Sequence, residues 1–481
     1  MDSCTAIGLT ARRLAFTATV MASYADAANA QGPPPPHVYP TEIYVDVALP
    51  PSSPQDGMSW ATAYHSLQPA IDAAGPNGQV WVAEGRYYSP NQATGFNIAK
   101  PLQLYGGFHN GDPSVGGRTG SADSTILDGK LGAPNAASGY HVITIGVLPS
   151  SQVVIDGFKI WNGNAAPSVN PIQDGGGIYA PCADLLLSNV SLSQNYAVRG
   201  GAIYFGGGCP PVPIDPEQSP AVTVSTPRRL RMKNCTLQEN TCGMGKGGGI
   251  YAVGVFGEIV NTVFDRNIAQ QEGGGVFLTS QGVSNRLDFT NCLWYKNAVL
   301  QGTSRGGGLA LEPGIDGIGG NVLLMNCTLY QNSGGPNPNP GEGALLIGSN
   351  STCVIGNSII WGNTGTTGFF GNPTINRSCL QSFWLGTDPN FFPPDPILGG
   401  GPYGVGPTHN AMGTPSPCID RANYDLLPHD NLDVNGDYDT AQSIPTDAAR
   451  LARARDDPAV TPDNGVGAVT FLDVGAYEYQ P

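Results

Sequence analysis

Between residues 175 and 363 two short patterns alternate, and this alternation constrains the fold more than any other feature of the chain. The first is glycine-rich, then apolar: Gly175-Gly176-Gly177-Ile178-Tyr179-Ala180, Gly200-Gly201-Ala202-Ile203-Tyr204-Phe205, Gly247-Gly248-Gly249-Ile250-Tyr251-Ala252, Gly273-Gly274-Gly275-Val276-Phe277-Leu278, Gly306-Gly307-Gly308-Leu309-Ala310-Leu311 and a weaker Gly341-Glu342-Gly343-Ala344-Leu345-Leu346. The second runs from one Asn to another, at 189–195, 234–240, 261–267, 291–297, 326–332 and 357–363. One copy of each per ~25–35 residues marks a solenoid, and the units are too short and glycine-rich to be helical repeats.

A parallel β-helix satisfies these patterns physically. The apolar runs are short, rich in Ile, Val, Leu and Tyr, and bounded by Gly and Asn, as short strands are. Coils stacked at ~4.8 Å place equivalent residues in columns. Asn tolerates a left-handed backbone, and its amide both donates and accepts, so stacked Asn can bond the turns above and below. Parallel crossovers favour a right-handed winding. The expected fold is therefore an all-β, single-stranded, right-handed parallel β-helix. Main coils span 151–385, after an N-terminal cap and first coils over 43–150. The latter hold a helix near Leu67–Ala74 and strands at Val80–Val82, Leu102–Tyr105 and Val142–Ile145. Residues 386–481, rich in Pro, Gly and Asp, are expected to cover the last coil, because every solenoid has an exposed end.

Composition narrows the function. Of 481 residues 67 are glycine, about twice the ~7% average, without a collagen triplet. With 22 Lys+Arg against 37 Asp+Glu, the net charge is −15, which repels phosphate backbones and argues against nucleic acid as a partner. No run approaches the ~18 apolar residues of a membrane span. The N-terminus has the parts of an export signal: Arg12-Arg13, the apolar stretch Leu14 to Ala22, and Ala28-Asn29-Ala30 as a cleavage site. Residues 1–30 are thus expected to be removed on export, leaving a Pro-rich linker over 31–42 and a secreted, extracellular or cell-surface protein. The ten Cys fall into kinds. Cys4 leaves with the signal, Cys235, Cys292 and Cys327 occupy one repeat position as small buried fillers, Cys182 and Cys209 could pair across coils, and Cys379 and Cys418 could close a Pro-rich region. No zinc-type spacing is present.

The motif pair L-x-x-N and G-G-A-I or G-G-G-I, as in Leu192-Ser193-Gln194-Asn195 before Gly200-Gly201-Ala202-Ile203, resembles the repeat of polymorphic outer-membrane-protein adhesins and other bacterial surface β-helix proteins of the pectin-lyase-like superfamily. Ile43-Tyr44-Val45-Asp46, Val80-Trp81-Val82-Ala83-Glu84-Gly85, and the C-terminal Asp473-Val474-Gly475-Ala476-Tyr477-Glu478 are similar to the flanks of those proteins. The resemblance covers about 43–481. It implies the same fold and a glycan partner lying along one face, either in non-catalytic adhesion or as the substrate of a polysaccharide lyase or glycoside hydrolase.

Candidate sites follow from the columns. Strand alternation sends Ile178, Ile203, Ile250, Val276, Leu309 and Ala344 inward and Tyr179, Tyr204, Tyr251 and Phe277 outward. The outward rings form either a platform for sugar rings or a self-stacked, loop-covered stabilising column. In the L-x-x-N column, Glu239, Arg266 and Lys296 form an inter-coil charge cluster. Glu239, Glu258, Asp265 and Asp288 are the carboxylates available to a hydrolase, which needs two. The run Asp430 to Asp439 spaces oxygen donors at Asp433, Asn435, Asp437 and Asp439, a pattern that suits calcium, though it departs from an EF-hand loop at Gly436 and Ile444. N-terminal sequencing of the protein recovered from the medium is expected to start at or near Gln31; an intact Met1 chain kept in the cytosol would remove the extracellular reading.

Overall fold

The computed structural model describes residues 41–478 other than 52, 147–150, 166–172, 208–211, 214–222, 225–226, 303, 337–341, 366–367, 382–397, 400–405, 408–415, 454–455, 461–464, 466, 468 and 470. The expected signal, most of the linker, Cys4 and Cys209 lie outside the described residues. Residues 41–481 pack as one unit.

One coil illustrates the winding. The chain runs through Ile250–Val253, Val255–Val260, Val263–Asp265 and Ile268–Ala269, and then repeats the course as Val276–Thr279, Arg286–Thr290, Leu293–Tyr295 and Ala298–Val299. Each segment pairs in parallel with its equivalent in the next coil: Ile250 with Val276, Ile259 with Phe289, Phe264 with Trp294, Ile268 with Ala298. The stack forms a 19-stranded, a 9-stranded and a 4-stranded sheet among the described residues, and this is the parallel β-helix expected from the repeat. Two short antiparallel pairs, Val212–Pro213 with Thr223–Val224 and Leu398–Gly399 with Gly406–Pro407, lie apart from these sheets. At the N-terminal end the helix is Leu67–Ala73, and the first strands are Gln79–Ala83, Leu102–Phe108 and Ile143–Ile145.

The interior is a set of aliphatic and aromatic columns. Ile178, Ile203, Ile250, Val276 and Leu309 are fully buried and in register. Ala344 is the exception to the expected column: Leu309 pairs with Leu345, so the weak sixth repeat is read one residue late. Glu342 takes the corner position that Gly306 holds one coil earlier, and the backbone N–H of Leu309 bonds Ala344 O. A second inward column, Leu192, Leu237, Phe264, Trp294 and Leu329, is likewise buried, with Trp294 stacked on Phe264 at 5.0 Å between ring centres.

Two Asn ladders hold the turns. The first Asn of each motif, from Asn189 to Asn357, has φ between +49° and +56°, a left-handed conformation that Asn adopts more readily than most residues. The second Asn of each motif is buried and bonds its successor through both its N–H and its amide. Asn240 donates to Asn267 Oδ1 at 3.1 Å from the backbone and at 2.9 Å from Nδ2, whose other hydrogen reaches Leu192 O of the previous coil at 2.9 Å. The same three bonds recur at Asn195, Asn267, Asn297 and Asn332.

The thiol column follows a simple local rule. Cys235, Cys292 and Cys327 are buried, and each donates to the carbonyl two residues back; Thr262, Ser358 and Ser378 do the same with hydroxyls at equivalent positions. The position requires a small donor. Burial pushes the Cys235 thiol up to about 12, so this column is chemically quiet, as fillers are. Cys182 is disulfide-bonded. The bridge considered between Cys379 and Cys418 is not formed: both are buried as thiols in one apolar cluster with Ile359 and Leu472, and packing closes this end instead.

The C-terminal residues 416–478 pack on outward side chains of the coils, among them Val263, Leu293 and Ile359. They run back over the outer Asn ladder. Asn357 exchanges two bonds of 2.8 Å with the backbone of Asn423, Asn291 donates to Thr446 O at 2.6 Å, and Lys233 Nζ donates to Leu432 O and Asp433 O at 2.9 and 3.0 Å. Replacing Asn267, whose oxygen accepts two bonds and whose N–H groups make three, by Ala is expected to cost about 2–4 kcal/mol of unfolding free energy, because several buried groups lose partners at ~1–3 kcal/mol each. Denaturant unfolding of Asn267→Ala beside Asn321→Ala, a surface control, checks this.

Candidate functional site

The four rings singled out from sequence do form one column. Tyr179, Tyr204, Tyr251 and Phe277 stack at 5.5, 5.5 and 5.1 Å between centroids, and His141 extends the stack beneath Tyr179. Their faces are spent on one another and on cations: the Arg199 guanidinium lies over Tyr204 and Tyr251, and Lys246 over Phe277. Arg199 is fixed there by a two-point ion pair with Asp174 at 2.6 and 2.9 Å. Tyr204 is 8% exposed and Phe277 2%, and burial pushes the Tyr204 hydroxyl up to about 12. A sugar platform needs a continuous open face, and this column does not offer one. Its geometry is that of the self-stacked alternative.

The acidic loop is knit by turn hydrogen bonds. Asp433 Oδ1 accepts from the Tyr438 N–H, Asp437 Oδ1 from the Asp439 N–H, and Asp439 Oδ1 from the Ala441 N–H, while Asp437 Oδ2 takes the Asn435 and Gln442 amides. These bonds hold the Asp437 carboxyl below its usual value. Among the described residues no group of three His, Cys, Asp or Glu side chains comes together as a metal site.

The charge cluster of the L-x-x-N column is present. Arg266 meets Glu239 at 3.1 Å and Asp265 at 3.0 Å, and Lys296 lies over the Tyr295 ring. Gln194, Glu239, Arg266, Lys296 and Gln331 all stand at φ between +49° and +55°, so this outer corner is a second left-handed column. Glu258 and Asp288 are register partners in adjacent coils, and each is answered by an arginine, Arg229 at 3.9 Å and Arg286 at 3.3 Å. Asp265 is different. It is fully buried, and its ion pair with Arg266 lacks hydrogen-bond geometry, leaving both carboxylate oxygens without a hydrogen bond. Burial raises its pKa, and the Arg266 charge offsets this only in part.

Next to this corner, register pairing defines an outward column that the sequence patterns reveal only in part: Tyr88, Asp128, Trp161, Ser193, Gln238, Asp265, Tyr295, Tyr330 and Trp361. All but Asp128 and Asp265 are half-buried. Tyr295 stacks on Tyr330 at 5.9 Å. At the other end Trp161 donates from Nε1 to Gln194 Oε1 at 2.8 Å, Gln194 reaches Glu239 at 3.4 Å, and Glu239 holds Arg266, so a polar chain fixes the rim. Between the aromatics, the Ser193 hydroxyl and Gln238 amide take no partner among the described residues. Trp161 to Tyr295 is four coil steps, about 19 Å at ~4.8 Å each. Both end rings are half-buried and carry cations, Arg86 and Lys159 over Trp161 and Lys296 over Tyr295, with a free hydroxyl and a free amide between them. The L-x-x-N pattern reached Ser193 but not Trp161, because that coil reads Ile160-Trp161-Asn162-Gly163, with glycine where the buried Asn belongs.

No protein-family model and no curated protein matches this chain. Among solved structures it is similar to "the structure of rice weevil pectin methyl esterase", at 12% identity and a TM-score of 0.28, over 72% of this chain and 96% of that one. Among the described residues no helix is long and apolar enough to cross a membrane.

Because the folded state holds Asp265 above its unfolded value, the folded protein binds the more protons between the two, and stability falls as pH rises through the folded pKa. Asp265→Asn is accordingly expected to raise Tm at pH 7 and to lose that advantage as pH approaches the unfolded carboxyl value. Thermal melts across this range check it.

Proposed function

We propose that this is an exported surface or matrix β-helix protein that binds glycan without cleaving it, along the outward column from Trp161 to Tyr295. The observation that carries the reading is the pair of unpartnered polar side chains, Ser193 and Gln238, set between half-exposed aromatic rings in one register column. Sugar rings present apolar faces and hydroxyl edges, and they suit alternating aromatic and hydrogen-bonding groups. Neighbouring coils repeat at about the length of one sugar unit, so an extended chain along the solenoid axis would meet one side chain per coil.

Binding is favoured over catalysis by the state of the carboxylates. Asp265, the acid nearest the column's centre, is sealed from solvent, and Glu258 and Asp288 are neutralised by arginines. A polysaccharide lyase or glycoside hydrolase is the competing reading, and unsaturated-product and reducing-end assays on a polysaccharide panel would reveal it. On the best-bound polysaccharide of that panel, Trp161→Ala is expected to weaken affinity about twofold to tenfold, the worth of one aromatic contact at ~0.5–1.5 kcal/mol. Tyr204→Ala is expected to behave oppositely, lowering Tm while affinity stays put. Affinity that follows Tyr204 rather than Trp161 would return the site to the buried-ring column.

A further inference from the structure

The outer Asn ladder is a surface that reads polypeptide backbone, and the protein itself occupies most of it. Asn291 spends one amide hydrogen on Asn261 Oδ1 and the other on Thr446 O; Asn357 does the same with Asn326 Oδ1 and Asn423 O. Thr446 also meets Asn261, and four residues later Arg450 Nη2 reaches Asn234 O at 3.3 Å. The C-terminal segment is thus heading along the ladder when it leaves it. Beyond Arg450 the turn column continues uncovered, through Asn234, Asn189 and Gly157, to a wall formed by Arg118, which is held by Val115 O, Gly106 O and Asp156. The interval is a groove of about 500 Å3 with Ser191 and Thr236 on its floor.

In this groove the ladder's bonding is interrupted. Asn234 gives its oxygen to Asn261, but its amide N–H groups donate to nothing among the described residues. Asn189 gives its N–H groups to Asp156 and Ser188, but its oxygen accepts from nothing. One coil step therefore presents an unused donor beside an unused acceptor. A main-chain amide is the complement of that pair, since it carries one acceptor and one donor in fixed relation, and main-chain carbonyls are what Asn291 and Asn357 of the same column bind.

We propose that the groove between Arg450 and Arg118 binds an extended polypeptide segment of a partner protein, read through its main chain by Asn189 and Asn234 as the C-terminal segment is read by Asn291 and Asn357. Three coil steps of ~4.8 Å accommodate about four residues at ~3.4 Å each. The site adjoins the glycan column, since Ser191 and Ser193 are alternate residues of one strand, but it uses other side chains and does not depend on that reading.

The test uses the full-length mature protein and a synthetic peptide of residues 443–450, the stretch of its own chain that meets Asn261 and Asn291, with binding read by isothermal titration calorimetry. Asn189→Gly and Asn234→Gly keep the left-handed backbone available while removing both amides. The double variant is expected to fold with near-normal Tm and to bind the peptide about tenfold more weakly, the worth of two hydrogen bonds at ~0.5–1.5 kcal/mol each. Asn291→Gly, whose amide lies under the C-terminal segment, is expected to leave peptide affinity unchanged. A peptide that does not bind, or binds the double variant as well as the parent, overturns the proposal. So does cellohexaose whose affinity falls in the double variant while that of the peptide does not.

Discussion

The buried Asn ladder is the constraint on which the rest of this β-helix depends. A solenoid has to turn corners, and each corner buries backbone groups that no strand partner satisfies. From Asn195 to Asn332 one side chain per coil satisfies two of them, accepting an N–H and capping a carbonyl of the coil before, and donates as well to the side chain of the next Asn. Because every bond spans adjacent coils, the ladder sets where each corner lies relative to the last. The inward Ile and Leu columns, the aromatic stack and the outward Trp161 column are in register because the corners are.

That dependence explains what could be read from the residues alone. The Asn and Gly positions carry both the period and the phase, so the fold class, the inward columns and the stacking of Tyr179, Tyr204, Tyr251 and Phe277 follow from aligning them. Where the phase signal weakens, the reading slips: Glu342 replaces a corner glycine, and the register of Ala344 is off by one. Cys379 and Cys418 share a cluster, as their placement suggested, but spacing cannot distinguish a bridge from two thiols packed by Ile359 and Leu472. In the acidic run at 433–439 the carboxylates of Asp433, Asp437 and Asp439 each accept an N–H a few residues ahead, a turn role that the alternate spacing alone does not reveal. The path of the C-terminal segment had no signal at all. Its contacts are single side chains meeting irregular backbone, and such contacts leave no periodic trace.

The two aromatic columns differ in fate for reasons that lie in their neighbours. The Tyr179 column rises directly from the glycine corner, where the adjoining loop supplies Asp174 and Arg199, and the guanidinium closes over the rings. A stack of parallel rings under a held cation is a rigid outer wall for the coils. The Trp161 column stands beside the left-handed corner that carries Gln194, Glu239 and Arg266. There Glu239 and Arg266 bond along the rim, Arg86 and Lys159 lie over Trp161 and Lys296 over Tyr295, and the Ser193 and Gln238 side chains take no partner among the described residues. The same composition of aromatic rings and charges thus gives a sealed wall in one column and a half-buried strip in the other.

Both proposed sites lie where the solenoid changes its way of turning. In the coil of residues 152–163 the corners are Gly157 and Gly163; one coil later the same positions are Asn189 and Asn195. Neither glycine could be Asn. A side chain on Gly163 would run into the Gly176 carbonyl, and one on Gly157, at φ +81°, would meet Gly106 O at 2.7 Å and Arg118 Nη1 at 2.9 Å. Glycine at 157 is what lets Arg118 close against the turn column, and so it forms the far wall of the groove. Gly163 donates the first bond of the buried ladder, from its N–H to Asn195 Oδ1 at 3.0 Å, and has no side chain to continue it. At this changeover the outer ladder has no Asn at 157 to accept from Asn189, whose amide N–H turns to Asp156 instead, and Trp161 stands at the last corner before the ladder begins. The unused Asn234 N–H groups and Asn189 oxygen lie one coil beyond this changeover, where the Asn-to-Asn bond of the outer ladder is not made, on the face past the Arg450 contact of the C-terminal segment.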